Sequence, residues 1–295
     1  MNNRLAAFDA FLKRTAPFMS QVISKLHGQL GDDWACEFSE ALERLYGDDD
    51  VALEQAVSGY VAFALEALKL QVAFRKTGRY PEKGYAQAAE EVYNNPDYMR
   101  SLYLPGNLLC HYLWPHHYQQ LRWFRERFAP RVVQLSSGEF YDVGTGTGFY
   151  SRELLRVSQT TTGVAFDVSS SSLDFARTQI AAYGLQERWT GVLRDVCSAQ
   201  AIVARPILMC VEVLEHLAEP EAFLAVLRKL LSAGGVGFVT AAINAANRDH
   251  IYLYRSAEDV LAQITAAGFT VLEYGSWESE GSGELVPAVA AFILE

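Results

Sequence analysis

The densest chemistry in the chain lies in Phe140-Tyr141-Asp142-Val143-Gly144-Thr145-Gly146-Thr147-Gly148-Phe149-Tyr150. A short β-rich run ends on an acidic residue, three alternating glycines follow, and a helical pattern begins. Glycine there lets the backbone turn sharply and come close to a ligand. The helix that follows turns its unpaired amides toward the same point. Dinucleotide sites use G-x-G-x-x-G to seat a pyrophosphate, whereas the spacing here is G-x-G-x-G with an acidic residue two places before the first glycine. A ligand-free tight turn would also need glycine, so this loop alone decides little.

Three further segments carry suitable groups at the ends of predicted strands, where ligands sit in doubly wound sheets. Val164-Ala165-Phe166-Asp167 places a carboxylate 19 residues after Gly148. It can accept from both hydroxyls of a ribose. The competing role is a helix N-cap, because Val168 and four serines follow. Arg194-Asp195-Val196 ends the next strand. Cys210-Val211-Glu212-Val213-Leu214-Glu215-His216-Leu217 ends the one after that.

In this order and spacing the four segments resemble the motifs of class I S-adenosylmethionine (SAM) dependent methyltransferases of the small-molecule type. The resemblance implies a SAM site in which Gly144, Thr145, Gly146 and Gly148 pack on the amino-acid part of the cofactor. Asp142 would anchor its amino end, directly or through water. Asp167, with its neighbour Val168, would take the ribose. Asp195 would accept from the adenine amino group, the Val196 amide would donate to a ring nitrogen, and Glu212 and Val213 would flank the cofactor at the sheet mouth. The resemblance stops short of the N-terminal region, which varies in that family and usually supplies the acceptor pocket.

Methyl transfer is an in-line displacement at a sulfonium, so positioning and exclusion of water matter most. A base is needed only when the nucleophile arrives protonated. Histidine titrates near neutrality, which makes His216, beside the fourth motif, and His250, in the segment Asn244–Tyr254, the candidates. His111, His116 and His117 lie in the N-terminal part. The segment from Tyr93 to Phe124 holds eight aromatic residues, with Tyr112 and Trp114 at its centre as site candidates. Such rings attract a cation or stack on a planar acceptor; equally, they could form the packing seam between two parts of the chain. The expected activity is methylation of O, N or C on a small metabolite, as in biosynthesis of secondary metabolites. The alternative is attack on the aminocarboxypropyl group of SAM, such as closure to azetidine-2-carboxylate with release of methylthioadenosine. NAD-dependent oxidation is disfavoured by the glycine spacing, and a scaffolding role by the intact ligand positions.

Two textures position these groups. From Asn3 to about Phe128 the apolar residues recur at helical spacing, predicting five or six helices with breaks at Gly28–Asp33, Gly47–Asp50, Lys76–Gly84, Asn94–Asp97 and Pro105–Gly106. From Ser136, strands alternate with helices. That predicts a doubly wound, mostly parallel seven-stranded α/β sheet whose last strand is antiparallel. The expected division is a helical cap over 1–130 and a SAM-binding Rossmann-like domain over 131–295.

Composition sets the outer limits. The 295 residues carry a net charge of -10 and no Lys/Arg cluster, which argues against a nucleic-acid partner. No apolar run approaching membrane-spanning length is apparent and there is no signal-peptide pattern, so a cytoplasmic protein with a small-molecule substrate and no membrane partner is expected. Pairing into a homodimer stays open. The four cysteines lie far apart, which predicts no zinc site, no disulfide and four small buried hydrophobes.

Overall fold

The computed structural model describes residues 3–135, 138–198, 202–281 and 283–295. The N-terminal region is helical, as its periodicity requires. It runs through α1 (Asn3–Thr15), α2 (Val22–Tyr46), α3 (Asp50–Thr77), α4 (Tyr85–Glu91), α5 (Pro96–Tyr98), α6 (Leu104–Leu113), α7 (Pro115–Trp123) and α8 (Ala129–Val133). Single π turns, Met99–Tyr103 and Phe124–Phe128, join α5 to α6 and α7 to α8.

Two of the predicted breaks are different in kind. Gly28–Asp33 is a kink at Gly31 (φ 81°) inside α2, not an interruption. Pro105–Gly106 does not end a helix at all. Pro105 lies in the first turn of α6, where a missing N–H costs nothing. Gly106 serves close packing instead, since a Cβ there would lie 2.4 Å from Cγ of Phe63 on α3. The real break comes at Trp114, pushed into an extended conformation (φ -109°, ψ 113°) by the proline that follows.

The C-terminal region contains β1 (Glu139–Val143), α9 (Phe149–Val157), β2 (Thr162–Asp167), α10 (Ser170–Ala182), β3 (Trp189–Leu193) and β4 (Arg205–Cys210). It continues with α11 (Pro220–Leu230), β5 (Leu231–Ile243), α12 (Ala257–Ala266), β6 (Val271–Glu278) and β7 (Ala288–Leu294). The sheet order is β3-β2-β1-β4-β5-β7-β6. β1 to β5 are parallel, and β7 runs antiparallel between β5 and β6. Strand order therefore reverses between β1 and β4, which puts a crevice at their carboxyl ends.

One buried cluster extends from Leu5 in α1 to Ile293 in β7. Trp123 meets Trp277 at 5.6 Å between ring centroids, and Phe124 meets Phe238 of β5 at 5.0 Å. Packing is thus continuous through residue 130, with α7 already lying on the sheet. The aromatic segment divides accordingly: its C-terminal rings form the predicted seam, while others reach the crevice. On the opposite face α11 and α12 bury Leu224, Leu227, Val260 and Ile264.

Two expectations from composition need amending. Helix α3 has an 18-residue window of mean hydropathy 1.3, so by length and composition it could cross a membrane; 39% of that window is buried. It packs against α1 and α6. Cys36 and Cys197 are exposed, and only Cys110 and Cys210 are buried; all four are free. Cys197 lies in the loop that follows β3, where a strand pattern no longer dictates burial.

A buried ion cluster locks α9 to the N-terminal helices. Glu153 is 1% exposed and Arg152 fully buried. Arg125 donates two bonds to Glu153 Oε2 at 2.9 and 2.6 Å and one to Glu37 of α2 at 2.6 Å. Arg152 donates to Glu153 Oε1 at 2.9 Å and to the Tyr112 hydroxyl at 3.0 Å. Burial disfavours the charged carboxylate, but Arg152, Arg125 and Arg156 outweigh it and hold Glu153 at about 2. A folded value below the unfolded one contributes stability that is complete above the unfolded value of about 4.3 and is lost as pH falls toward 2. The depression corresponds to about 3 kcal/mol. Glu153→Gln should lower stability at neutral pH by a similar amount, about 3 kcal/mol, and flatten its loss in that acid window. Urea midpoints measured across pH read both effects; an unchanged acid slope would exclude Glu153 as the group responsible.

Candidate active site

The loop between β1 and α9 holds Gly144, Gly146 and Gly148 at φ 73°, 52° and 74°, a region closed to most side chains. Each also has a separate spatial reason. A Cβ at Gly144 would lie 2.5 Å from Val213 Cγ2, and one at Gly148 would lie 2.8 Å from Ala176 Cβ in α10. At Gly146 nothing lies within 4 Å, so this turn of backbone is the part a ligand can approach.

Asp142 ends β1 in full burial. Burial raises its pKa, and bonds from Ser151 and Thr145 partly offset that, leaving it at about 6. The Ser151 and Thr145 hydroxyls both donate to Oδ2, at 2.6 and 2.7 Å, so Oδ1 is the oxygen available to a ligand. Asp167, at the end of β2, accepts from the Gly146 amide at 2.9 Å and the Ser169 amide at 2.8 Å. Burial raises its pKa as well. The N-cap of α10 is Ser169, so capping does not account for Asp167. Asp195, after β3, is exposed and accepts from the Cys197 amide at 2.8 Å; Val196 beside it is buried. Glu212, after β4, is held at φ 52° and accepts from Thr240 Oγ1 at 2.6 Å.

These groups line one cavity of about 1020 Å³. Asp142, Gly144, Thr145, Gly146, Asp167, Val168, Asp195, Val196, Glu212 and Val213 all border it; Gly148 does not, and acts through packing on α10. The N-terminal helices supply the opposite wall, including Tyr60, Phe63, Tyr93, Tyr103 and Trp114. Tyr112 is not there. It is stacked on Phe38 at 4.9 Å and held by Arg152, because its turn of α6 faces the core. His111, His116 and His117 do border the cavity. Burial depresses His111 to about 3 and His116 to about 4, so both are neutral near pH 7.

A second group of polar residues forms beyond the glycine loop. His216 ends a 3-10 turn after β4, and His250 lies in the loop after β5. Their rings are 4.9 Å apart and nearly perpendicular. Between them and the cap lies Asp249, which sequence reasoning missed. Its Oδ2 accepts from Tyr93 at 2.9 Å and Tyr103 at 2.5 Å and lies 3.3 Å from His216 Nδ1. Burial opposes ionisation of Asp249, but His216, His250 and the two hydroxyls win, and its pKa is lowered. Burial depresses His250 to about 4. Glu215 was also missed: it is fully buried, and among the described residues no side chain hydrogen-bonds its carboxyl, which has only its own amide and that of Ala242 for support. Burial first, and Glu212 second, push its pKa up.

The N-terminal helices are bonded directly to this loop. Gln71 of α3 donates to the carbonyls of Asn244 and Leu285 and accepts from the Ala246 amide at 2.8 Å. The Tyr80 hydroxyl donates to the Ala245 carbonyl at 2.6 Å. Tyr98 and Arg248 share Glu66.

Residues 141–236 match the family model described as a methyltransferase domain. The chain is 31% identical over 132 residues to a ubiquinone biosynthesis O-methyltransferase of Caulobacter sp. (strain K31), covering 42% of this chain and 51% of that protein. It is 24% identical over 137 residues to the enzyme of that name from Stutzerimonas stutzeri, covering 46% and 58%. The chain thus spans about half the length of the curated relatives it matches. A SAM-dependent methyltransferase structure from Aquifex aeolicus superposes with a TM-score of 0.47 at 18% identity, covering 68% of this chain and 99% of that one. Residues 141–236 thus match a methyltransferase domain and resemble those of class I SAM-dependent methyltransferases, whose cofactor is SAM. The strand-end carboxylates, the open Gly146 backbone and the cavity fit that cofactor.

Asp167→Ala should weaken SAM binding by about 1–3 kcal/mol, the cost of stranding a buried polar partner. Calorimetric titration reads this directly; unchanged affinity would place the ribose away from β2.

Proposed function

We propose that the chain methylates a hydroxyl oxygen of a small, planar metabolite, with 131–295 as the cofactor unit and 1–130 as the cap that shapes the acceptor pocket. The observation that carries this reading is the shared cavity. Its roughly 1020 Å³ exceeds the usual range for one small ligand, about 300–1,000 Å³. Carboxylates suited to SAM border one part, and aromatic rings and imidazoles border the rest. The names of the relatives favour oxygen as the attacking atom.

SAM bound there supplies an electrophilic methyl group on a sulfonium. The chain's own residues do everything else. Asp142, Asp167 and Asp195 fix orientation along the strand ends. Trp114, Phe63 and Tyr103 offer ring faces to a planar acceptor and exclude water. An acceptor hydroxyl must lose its proton as the oxygen attacks, and His216 and His250 are the groups that answer for that proton. The Asp249 carbonyl, with its carboxylate beside it, orients His216 through Nδ1, which leaves Nε2 as the working nitrogen. A reduced compartment such as the cytoplasm suits the exposed thiols of Cys36 and Cys197.

The test incubates the purified protein with SAM and a panel of hydroxylated aromatic acids and phenols, and identifies the nucleoside formed. S-adenosylhomocysteine together with a methylated acceptor is expected. Methylthioadenosine formed without any acceptor would overturn methyl transfer in favour of attack on the aminocarboxypropyl group. His216→Asn should cut kcat by about 100-fold while leaving SAM affinity near that of the parent.

A further inference from the structure

We propose that Glu215, His216 and His250 bind a divalent transition-metal ion at the acceptor end of the cavity. The inference rests on the methyltransfer reading only for what the ion does, not for whether it binds. One donor atom from each of the three residues lies within 4.8 Å of the others. All three border the cavity, so an ion held by them would keep coordination positions open toward an acceptor.

Two independent features support a built site. The Glu215 side chain is fully buried, and among the described residues no side chain hydrogen-bonds either oxygen; only its own amide and that of Ala242 stabilise the carboxylate. Its nearest imidazole atom, His216 Nε2, is 3.9 Å from Oε1, beyond hydrogen-bond range. Burying a carboxyl with no side-chain partner is costly unless something else satisfies it.

The second feature is the orientation of the imidazoles. His216 Nδ1 hydrogen-bonds the Asp249 carbonyl oxygen at 3.3 Å and lies 3.3 Å from Asp249 Oδ2, and His250 Nδ1 lies 2.7 Å from the Ala245 carbonyl oxygen. An oxygen acceptor at Nδ1 fixes the proton there and puts the lone pair on Nε2. Metal-binding histidines are held in this way, by a carboxylate or carbonyl on the other nitrogen. Here both acceptors are themselves fixed by the cap. Tyr93 and Tyr103 donate to Asp249, and Tyr80 donates to the Ala245 carbonyl. Two imidazoles and one carboxylate favour zinc, manganese, iron or cobalt over magnesium or calcium. With both Nε2 atoms on the ion, the imidazoles would no longer take the proton; the ion would instead make an acceptor hydroxyl on its open side more acidic, as zinc does water. The hydroxyl proton would leave to solvent, and the O–C bond would form as the C–S bond breaks.

The test titrates chelator-treated full-length protein with Co²⁺ and follows its visible absorption, with metal content measured after dialysis against Zn²⁺. One ion per chain is expected, and excess Mg²⁺ should not displace it. Glu215→Gln and His250→Gln should each weaken binding by on the order of tenfold or more, and Asp249→Asn by about 10–100-fold. SAM affinity and far-ultraviolet dichroism, measured on the same variants, report folding. No absorption from Co²⁺ in the parent, or equal binding in well-folded variants, would overturn the ion site. Turnover to S-adenosylhomocysteine by metal-free protein would remove the ion and leave the methyltransfer reading standing. A bound ion with no turnover on any acceptor would do the reverse.

Discussion

The carboxylate of Asp249 is where three otherwise separate parts of the molecule meet: the cap through Tyr93 and Tyr103, the loop after β5, and the imidazole of His216 after β4. It is fully buried, and a buried ionised carboxylate persists only when hydrogen bonds and positive character surround it. Two hydroxyls and two imidazoles supply that. Because the hydroxyls come from the cap, the ionised state of Asp249 depends on the cap being docked. The orientation of His216 then depends on Asp249. Docking, charge and imidazole geometry are therefore one coupled arrangement.

Other backbone features near the crevice serve the same arrangement. Glu212 and Asn244, the residues that leave β4 and β5, both adopt positive φ (52° and 49°) without being glycine. Such conformations cost of order 1–3 kcal/mol and persist only where surrounding contacts enforce them. At Glu212 the enforcing contact is Thr240, which bonds both its amide and its carboxyl. At Asn244 it is Gln71, from the cap, on the carbonyl. The conformation after β4 is thus held by Thr240, and that after β5 by Gln71 of the cap together with the Tyr254 and Arg255 carbonyls, which accept from the Asn244 amide and side chain.

The strand-end carboxylates that border the cavity were legible in the sequence because they depend on local rules. A glycine loop, a strand end and an acidic residue after it are contiguous in the chain, so Asp142, Asp167, Asp195 and Glu212 could be found without knowing the fold. The antiparallel β7 agrees with the expected last strand and follows from the β6–β7 hairpin. The cap was legible only as helices. Nothing local distinguishes Tyr112, which turns into the core, from Trp114, which borders the cavity two residues later; the break before Pro115 makes the difference. Asp249 and Glu215 were hidden for another reason. Their roles arise from partners far away in sequence, such as Tyr93, 156 positions earlier. A buried carboxyl without local partners leaves no pattern in the chain.

The division of labour in the cavity follows from dielectric as much as from shape. The carboxyls that would meet the positively charged cofactor end at the exposed lip, with Asp195, or carry backbone amide bonds, as Asp167 does. Those toward the acceptor end lie deeper, and there a charge is tolerated only with a partner. Asp249 Oδ2 has side-chain partners from the protein; Glu215 has only backbone amides. A buried carboxyl without a side-chain partner, beside two oriented imidazoles, is what the proposed cation would satisfy in both charge and geometry. Through Tyr80, Tyr93 and Tyr103 the N-terminal region also fixes the atoms that orient both imidazoles.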